Sequence, residues 1–221
     1  MAYTEEVATT PAPARAPRRT QAERRAETQR RLLDATIACL TEDGYAGMST
    51  NEVARRAGVS RGALVHHFPT KAQLAVAALD RWHDDRLVEF EATFAALDSS
   101  ERRADVAIDV LWEMFKGPTF AAALELTAAG RTDPDLRQRL TDVNERFNRG
   151  VAETFQRTFG VDEVNAPFDP GIAVRFAFSV LNGAALERVL EPADATDPPE
   201  SVTTLKLLAT LLVNEPWRIQ S

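Results

Sequence analysis

Between Ala57 and Lys71 the chain reads AGVSRGALVHHFPTK, a run whose side chains are suited to holding nucleic acid. Arg61 carries a planar guanidinium able to donate two hydrogen bonds to O6 and N7 of a guanine. Gly62 and Ala63 beside it are small enough for a helix backbone to approach a groove wall, and the Ala63 methyl can meet a thymine methyl. His66 and His67 can each donate to a phosphate oxygen, more strongly when protonated. Lys71 stands in the first turn of a helix, where the dipole disfavours a cation, and a nearby phosphate would relieve that conflict. The plainer alternatives are a solvated arginine, tolerated small residues and an ordinary exposed lysine. A metal site is not expected: adjacent histidines on a helix point about 100° apart, and only His83 and Cys39 remain as further soft ligands.

These side chains need two short helices to present them. Ser49 or Thr50 can cap a first helix, Asn51 to Ala57, with Val53, Ala54 and Ala57 on its apolar face. Gly58 tolerates the left-handed conformation that ends it. Ser60 caps the second helix and puts Arg61, Gly62 and Ala63 on its exposed first turn. Thr70 caps the helix that follows. Upstream, Glu23 to Asp43 predicts a helix with Leu33, Ile37 and Leu40 on one side and Gly44 at its end, which completes a three-helix head.

From about Arg30 to Leu74, including the GYAGMST approach and the HHFPTK exit, the chain resembles the helix-turn-helix of TetR/AcrR-type transcriptional repressors. The resemblance implies that the segment Arg61 to His66 is the recognition helix in the DNA major groove. It also implies phosphate contacts at Thr50, His67 and Lys71. Asn51 joins Thr50, Arg61, Gly62, Ala63, His66, His67 and Lys71 as the expected DNA-binding set. One departure stands out: Val65 occupies a position where the family often has a tyrosine against the DNA backbone.

The net charge of −7 conceals a division along the chain. Residues 1 to 75 hold eleven Lys and Arg against eight Asp and Glu, net +3; the remainder holds fifteen against twenty-five, net −10. A local basic surface suffices to attract phosphates, and an acidic body keeps clear of the duplex. No membrane partner is expected, since no apolar run of eighteen residues lacks charges. The opening residues lack the basic-then-apolar order of a secretory signal, and Cys39 is the single cysteine, so a reducing cytoplasm is the expected location. Cys39 reads as a small buried hydrophobe among Leu33, Ile37 and Leu40.

The expected domains are a disordered arm (1–22), the DNA-binding head (23–70) and an effector-binding and dimerisation body (71–221), all-α with about nine helices. Arg15, Arg18 and Arg19 in the arm could meet a minor groove or only add phosphate attraction. Lys71 to about Leu97 reads as one long helix joining head to body rigidly, broken by 98–100. Helical periods then recur over Arg102 to Phe115, Phe120 to Ala129 and from Pro134 through Phe155, with a loop over Gly160 to Pro170. Ile172 to Leu190 is apolar around most of its circumference, and Ser201 to Val213 is a second apolar helix. Such helices need neighbours on two sides. A pairing of both with a second copy is the expected dimer interface, through Phe178, Leu181, Asn182, Gly183, Leu186, Leu205, Leu208 and Leu212. The four-helix form of that interface is what the family resemblance implies; burial inside one chain is the alternative.

The function that follows is a ligand-responsive repressor. A homodimer occupies a pseudo-palindromic double-stranded operator, and a small apolar or aromatic effector releases it. Effector contacts are expected from Trp82, Trp112, Met114, Phe115, Phe120, Phe147 and Phe176, of which about a third should line a cavity and the rest pack the core. The alternatives are a regulator or activator with no effector, and an enzyme. Catalysis is disfavoured: the sequence holds no phosphate-cradling glycine loop, HExxH, metal-spaced cysteine pair or serine elbow, and no cofactor is expected.

Overall fold

The structure, a computed structural model, describes residues 20–96, 103–159, 169–189, 191 and 198–214. Among the described residues it is all-α, with nine helices: α1 (Gln21–Gly47), α2 (Thr50–Ala57), α3 (Arg61–His67), α4 (Lys71–Ala96), α5 (Ala104–Phe115), α6 (Pro118–Gly130), α7 (Pro134–Phe159), α8 (Pro170–Val189) and α9 (Glu200–Asn214). The basic arm with Arg15, Arg18 and Arg19, the expected break at 98–100 and most of the 160–170 loop lie outside the described residues. No described helix is long and apolar enough to cross a membrane.

Local chemistry accounts for the helix ends. Thr20 and Glu23 form a reciprocal capping box at the start of α1, two residues earlier than the hydrophobic period suggests. Gly44 interrupts the regular helix as expected, at φ 65° and ψ 176°, and one further turn, closed by Met48 N–H on the Gly44 carbonyl, follows the kink to Gly47. Ser49 occupies the N-cap of α2 without a side-chain bond, so neither Ser49 nor Thr50 acts as the expected cap. Ser60 Oγ accepts from Ala63 N–H at 3.1 Å and Thr70 Oγ1 from Gln73 N–H at 3.1 Å, capping α3 and α4. Pro118 opens α6 at a first-turn position that needs no N–H.

Two apolar clusters hold these helices. The first runs from Leu32, Cys39 and Val53 through Leu64 and Leu74 to Leu126, Leu136 and Leu140, so the core of the head continues into α4, α6 and α7. Cys39 is fully buried in it, and burial raises its thiol pKa. The second cluster packs Phe90, Phe94, Leu111 and Trp112 against Phe147, Phe178, Leu181, Val202 and Leu205. Helix α4 belongs to both. A residue near its start and one three turns later therefore move as one piece, since a packed helix has little internal freedom.

Candidate functional site

The turn between α2 and α3 is built around Gly58 at φ 63°, ψ 39°, with its N–H bonded to the Arg55 carbonyl. A side chain there would be strained in backbone and would meet Arg31, whose guanidinium lies 2.5 Å from the Cβ position and donates to the Gly58 carbonyl at 3.4 Å. Arg31 is a turn-positioning residue that the sequence reading missed; its twenty-seven-residue separation from Gly58 leaves no local signal.

Helix α3 exposes Arg61, Gly62, Val65 and His66, buries Leu64, and half-buries Ala63 and His67. The spacing i, i+1, i+4, i+5 puts the exposed four on one face. Arg61 makes no hydrogen bond or ion pair among the described residues. Arg55 and Arg56 are instead both held by Glu52, at 2.6 and 2.7 Å, which draws the Glu52 carboxyl down to about 2, and Arg56 also reaches Glu42. Among the described residues of α2 and α3, Arg61, at the capped start of α3, is thus the arginine left without a partner. Burial, then the charges of Arg25 and His66, lower the His67 pKa. Thr50 is half-buried and Asn51 exposed at the start of α2.

Lys71 corrects an expectation. Its Nζ donates to the Ala46 carbonyl at 3.2 Å and sits 4.8 Å from the Tyr45 ring centroid. The conflict with the α4 dipole is answered inside the chain by the end of α1, so it no longer argues for a phosphate.

The body encloses a cavity of about 310 Å³ between α4, α5, α6, α7 and α8. Five expected residues line it: Trp82, Met114, Phe115, Phe120 and Phe147. Trp112 does not; it is buried in the second apolar cluster as packing. Phe176 does not either. It is 52 % exposed on the outer side of α8, because it lies two residues from Phe178, which points inward.

Phe178, expected at a dimer interface, is buried and lines the cavity, in a run of rings: His83 on Phe147 (4.3 Å, 11°), Phe147 on Phe178 (5.5 Å), Phe178 on Phe115 (5.3 Å) and Phe115 on Phe120 (4.8 Å). Asn182 also turns to the cavity, its Nδ2 donating to the Phe178 carbonyl at 2.6 Å. Leu181, at 0 % exposure, and Leu205 are buried within the chain and unavailable to a partner. Gly183, Leu186 and Leu208 remain at the surface, while the Leu212 side chain lies outside the described residues.

His83, which the sequence offers only as a remaining soft ligand, lines the cavity, as do Asn144, Asn148 and Arg175, none of them expected there. His83 is 8 % exposed, its Nδ1 has no hydrogen-bond partner, and burial lowers its pKa to about 4, so it is neutral near neutrality. Among the described residues no three His, Cys, Asp or Glu side chains converge on a point that could hold a metal.

A glycine pivot between two short helices, with one capped and bearing an unpaired arginine, on a larger helical body with an aromatic cavity, defines a helix-turn-helix DNA-binding regulator. Residues 32–78 match the family described as bacterial regulatory proteins, tetR family. The chain is 32 % identical over 162 residues to an uncharacterized HTH-type transcriptional regulator, Rv2912c, of Mycobacterium tuberculosis, covering 73 % of this chain and 83 % of that one. It is 40 % identical over 125 residues to the HTH-type transcriptional regulator CymR of Pseudomonas putida, covering 57 % of this chain and 61 % of that protein. Among solved structures it is similar to the multidrug binding protein EbrR complexed with imidazole, at 27 % identity and a TM-score of 0.61, over 88 % of this chain and 97 % of that one. The chain belongs to the TetR family of transcriptional regulators, which are not enzymes.

Proposed function

We propose that this regulator is a ligand-responsive repressor that binds a pseudo-palindromic operator as a homodimer and leaves it when a small apolar or aromatic molecule fills the body cavity. The observation that carries this reading is α4. The helix begins at Lys71, beside the DNA-reading face of α3, and about 16 Å further along presents Trp82 and His83 to the cavity. A ligand that displaces the cavity end of α4 displaces the head as well.

Two polar contacts support the coupling. Glu125 on α6 accepts from the Tyr45 N–H at 2.7 Å, and Arg146 on α7 pairs with Asp80 on α4. Both α6 and α7 also wall the cavity. DNA and effector would then oppose each other reciprocally, by no more than the ligand's differential affinity for the two arrangements.

The outer face of α8 and α9 supports a second copy as partner. Ile172, Phe176, Ser179, Gly183 and Leu186 are all exposed at spacings of four, three, four and three, and Leu207, Leu208 and Leu211 continue the patch on α9. That spacing is the seam of a helix-on-helix interface. Two heads about 34 Å apart would meet successive major grooves, with Arg61, Gly62, Ala63 and His66 toward bases and Thr50, Asn51 and His67 toward the backbone.

Fluorescence-anisotropy titration at fixed salt tests the reading. The expected result is a palindromic duplex bound about a thousandfold more tightly than random DNA, with two chains per duplex. Equal affinity for both duplexes rejects it.

A further inference from the structure

The chemistry of the cavity wall goes further than its shape, and the following step rests on the ligand-sensing reading above. Arg175, at the rim on α8, is the charged side chain of the wall; no Asp or Glu lines the cavity among the described residues. Arg175 makes no ion pair among the described residues. Asp169 lies near it across Gly171, without a salt bridge, and accepts from the Gly171 N–H at 2.7 Å through Oδ1. Asn144 and Asn148, four residues apart on one face of α7, add amide donors that no described group engages. Deeper in, His83 stacks on Phe147 with Nδ1 withdrawn from water and given no protein partner. Leaving such an atom unsatisfied is costly, and a ligand group that turns the ring to meet it would recover that cost. The remaining wall is aromatic.

We propose that the cavity takes a small aromatic carboxylate with a polar ring substituent. The carboxylate is held at the rim by Arg175 with Asn144 and Asn148, the ring lies against Phe115, Phe147 and Phe178, and the substituent meets His83 Nδ1. A guanidinium matches a carboxylate in two parallel hydrogen bonds and makes the charge of the ligand, not only its shape, a criterion for entry. The volume agrees: about 310 Å³ is roughly ten water volumes, which suits a molecule of about eleven non-hydrogen atoms.

The isosteric pair 4-hydroxyphenylacetate and 4-hydroxyphenylacetamide, with the cation tyramine beside them, tests the charge, and phenylacetate tests the hydroxyl, read by the tryptophan fluorescence of the full chain, to which Trp82 in the wall contributes. The carboxylate is expected to bind at least about tenfold more tightly than the amide. Arg175→Gln, an exposed position that the fold does not need, is expected to erase that preference and leave the amide within about threefold. His83→Phe keeps the stack and is expected to remove the preference for 4-hydroxyphenylacetate over phenylacetate. Tighter binding of the amide or of tyramine, or a preference untouched by Arg175→Gln, overturns the anionic class while leaving small-molecule sensing in place. A 4-hydroxyphenylacetate preference that survives His83→Phe overturns the role of Nδ1. Binding by none of the four at millimolar concentration overturns the aromatic carboxylate class, while the sensing reading stands or falls on the operator titration.

Discussion

The Glu125 carboxylate, on α6, accepts a hydrogen bond from the backbone N–H of Tyr45, eighty residues earlier, where Gly44 kinks α1 at φ 65°. A Cβ added at Gly44 would fall inside that carboxylate. The kink of the head and a cavity-bearing helix of the body are therefore fitted to each other. Glu125→Ala is expected to cost about 1 kcal/mol in urea unfolding, since the bond is exposed. Gly44→Ala is expected to cost more, about 1–3 kcal/mol, from backbone strain and the displaced carboxylate together. The steric part vanishes when Glu125 is already alanine, so the double mutant should fall short of the sum by about 0.5 kcal/mol or more; strict additivity would show that the two do not interact.

Arg61 and Lys71 should separate in their effects. Arg61 has no partner among the described residues and Lys71 is bonded to Ala46. Arg61→Ala is expected to lower operator affinity about tenfold to a hundredfold, with little change for random DNA or in melting temperature. Lys71→Ala is expected to lower the melting temperature by about 2–4 °C, the value of a lost hydrogen bond in a chain of this size. Calorimetry beside anisotropy distinguishes them, and an unchanged operator affinity for Arg61→Ala would remove α3 as the reader.

His83 gives a pH dependence of definite sign. Its folded pKa, about 4, lies below the unfolded value of about 6.5, chiefly through burial; Asp80 opposes the shift and Arg146 adds to it. The neutral ring is favoured by the fold, so its contribution is fully present above about pH 6.5 and is lost as pH falls toward 4, amounting to at most ~3 kcal/mol. Urea midpoints between pH 8 and pH 4 check this. His83→Phe should flatten that part of the profile; a stability that rises on acidification through this window in the parent protein alone would contradict it.

Surface and core positions on α8 and α9 should part company. Leu186 on α8 and Leu208 on α9 are 55 % and 41 % exposed. The pair Leu186→Glu and Leu208→Glu is expected to leave a folded monomer at micromolar concentration by sedimentation, because like charges would face each other across an isologous contact. Leu181→Ala should retain the assembly and cost about 2–5 kcal/mol through the space it opens. A parent chain that sediments as a monomer defeats the dimer.

Much of the head is legible in the order of residues. Gly58, Ser60 and Thr70 act within four positions of themselves, and their roles as turn and caps follow from local stereochemistry. Gly44 shows the limit. Its glycine character announces the break in the helix, and the carboxylate that meets the chain there, Glu125 from α6, has no local signal. Lys71 was legible as an anomaly, and its explanation lay at Ala46 and Tyr45, across a packing contact.

In the body, the helical periods were evident and the direction each side chain faces was not. A helix apolar all round, such as α8, offers no polar side from which to deduce which residues turn inward. Phe178 therefore reads as an interface residue and Phe176 as a cavity residue, with Leu181 grouped beside Leu186; packing against α5, α7 and α9 reverses the first pair and separates the second.

The sequence alone determined the all-α class, the pivot at Gly58, the capped helix that carries Arg61, and the membership these imply, because each rests on backbone preferences and spacing within a few residues. Only the tertiary structure decided which aromatics line a cavity, that His83 keeps an unsatisfied nitrogen at its wall, that Arg175 pairs with no acid among the described residues, and that Glu125 grips the kink of α1. Those relations join residues far apart in the chain, and three-dimensional packing is what brings them within reach of one another.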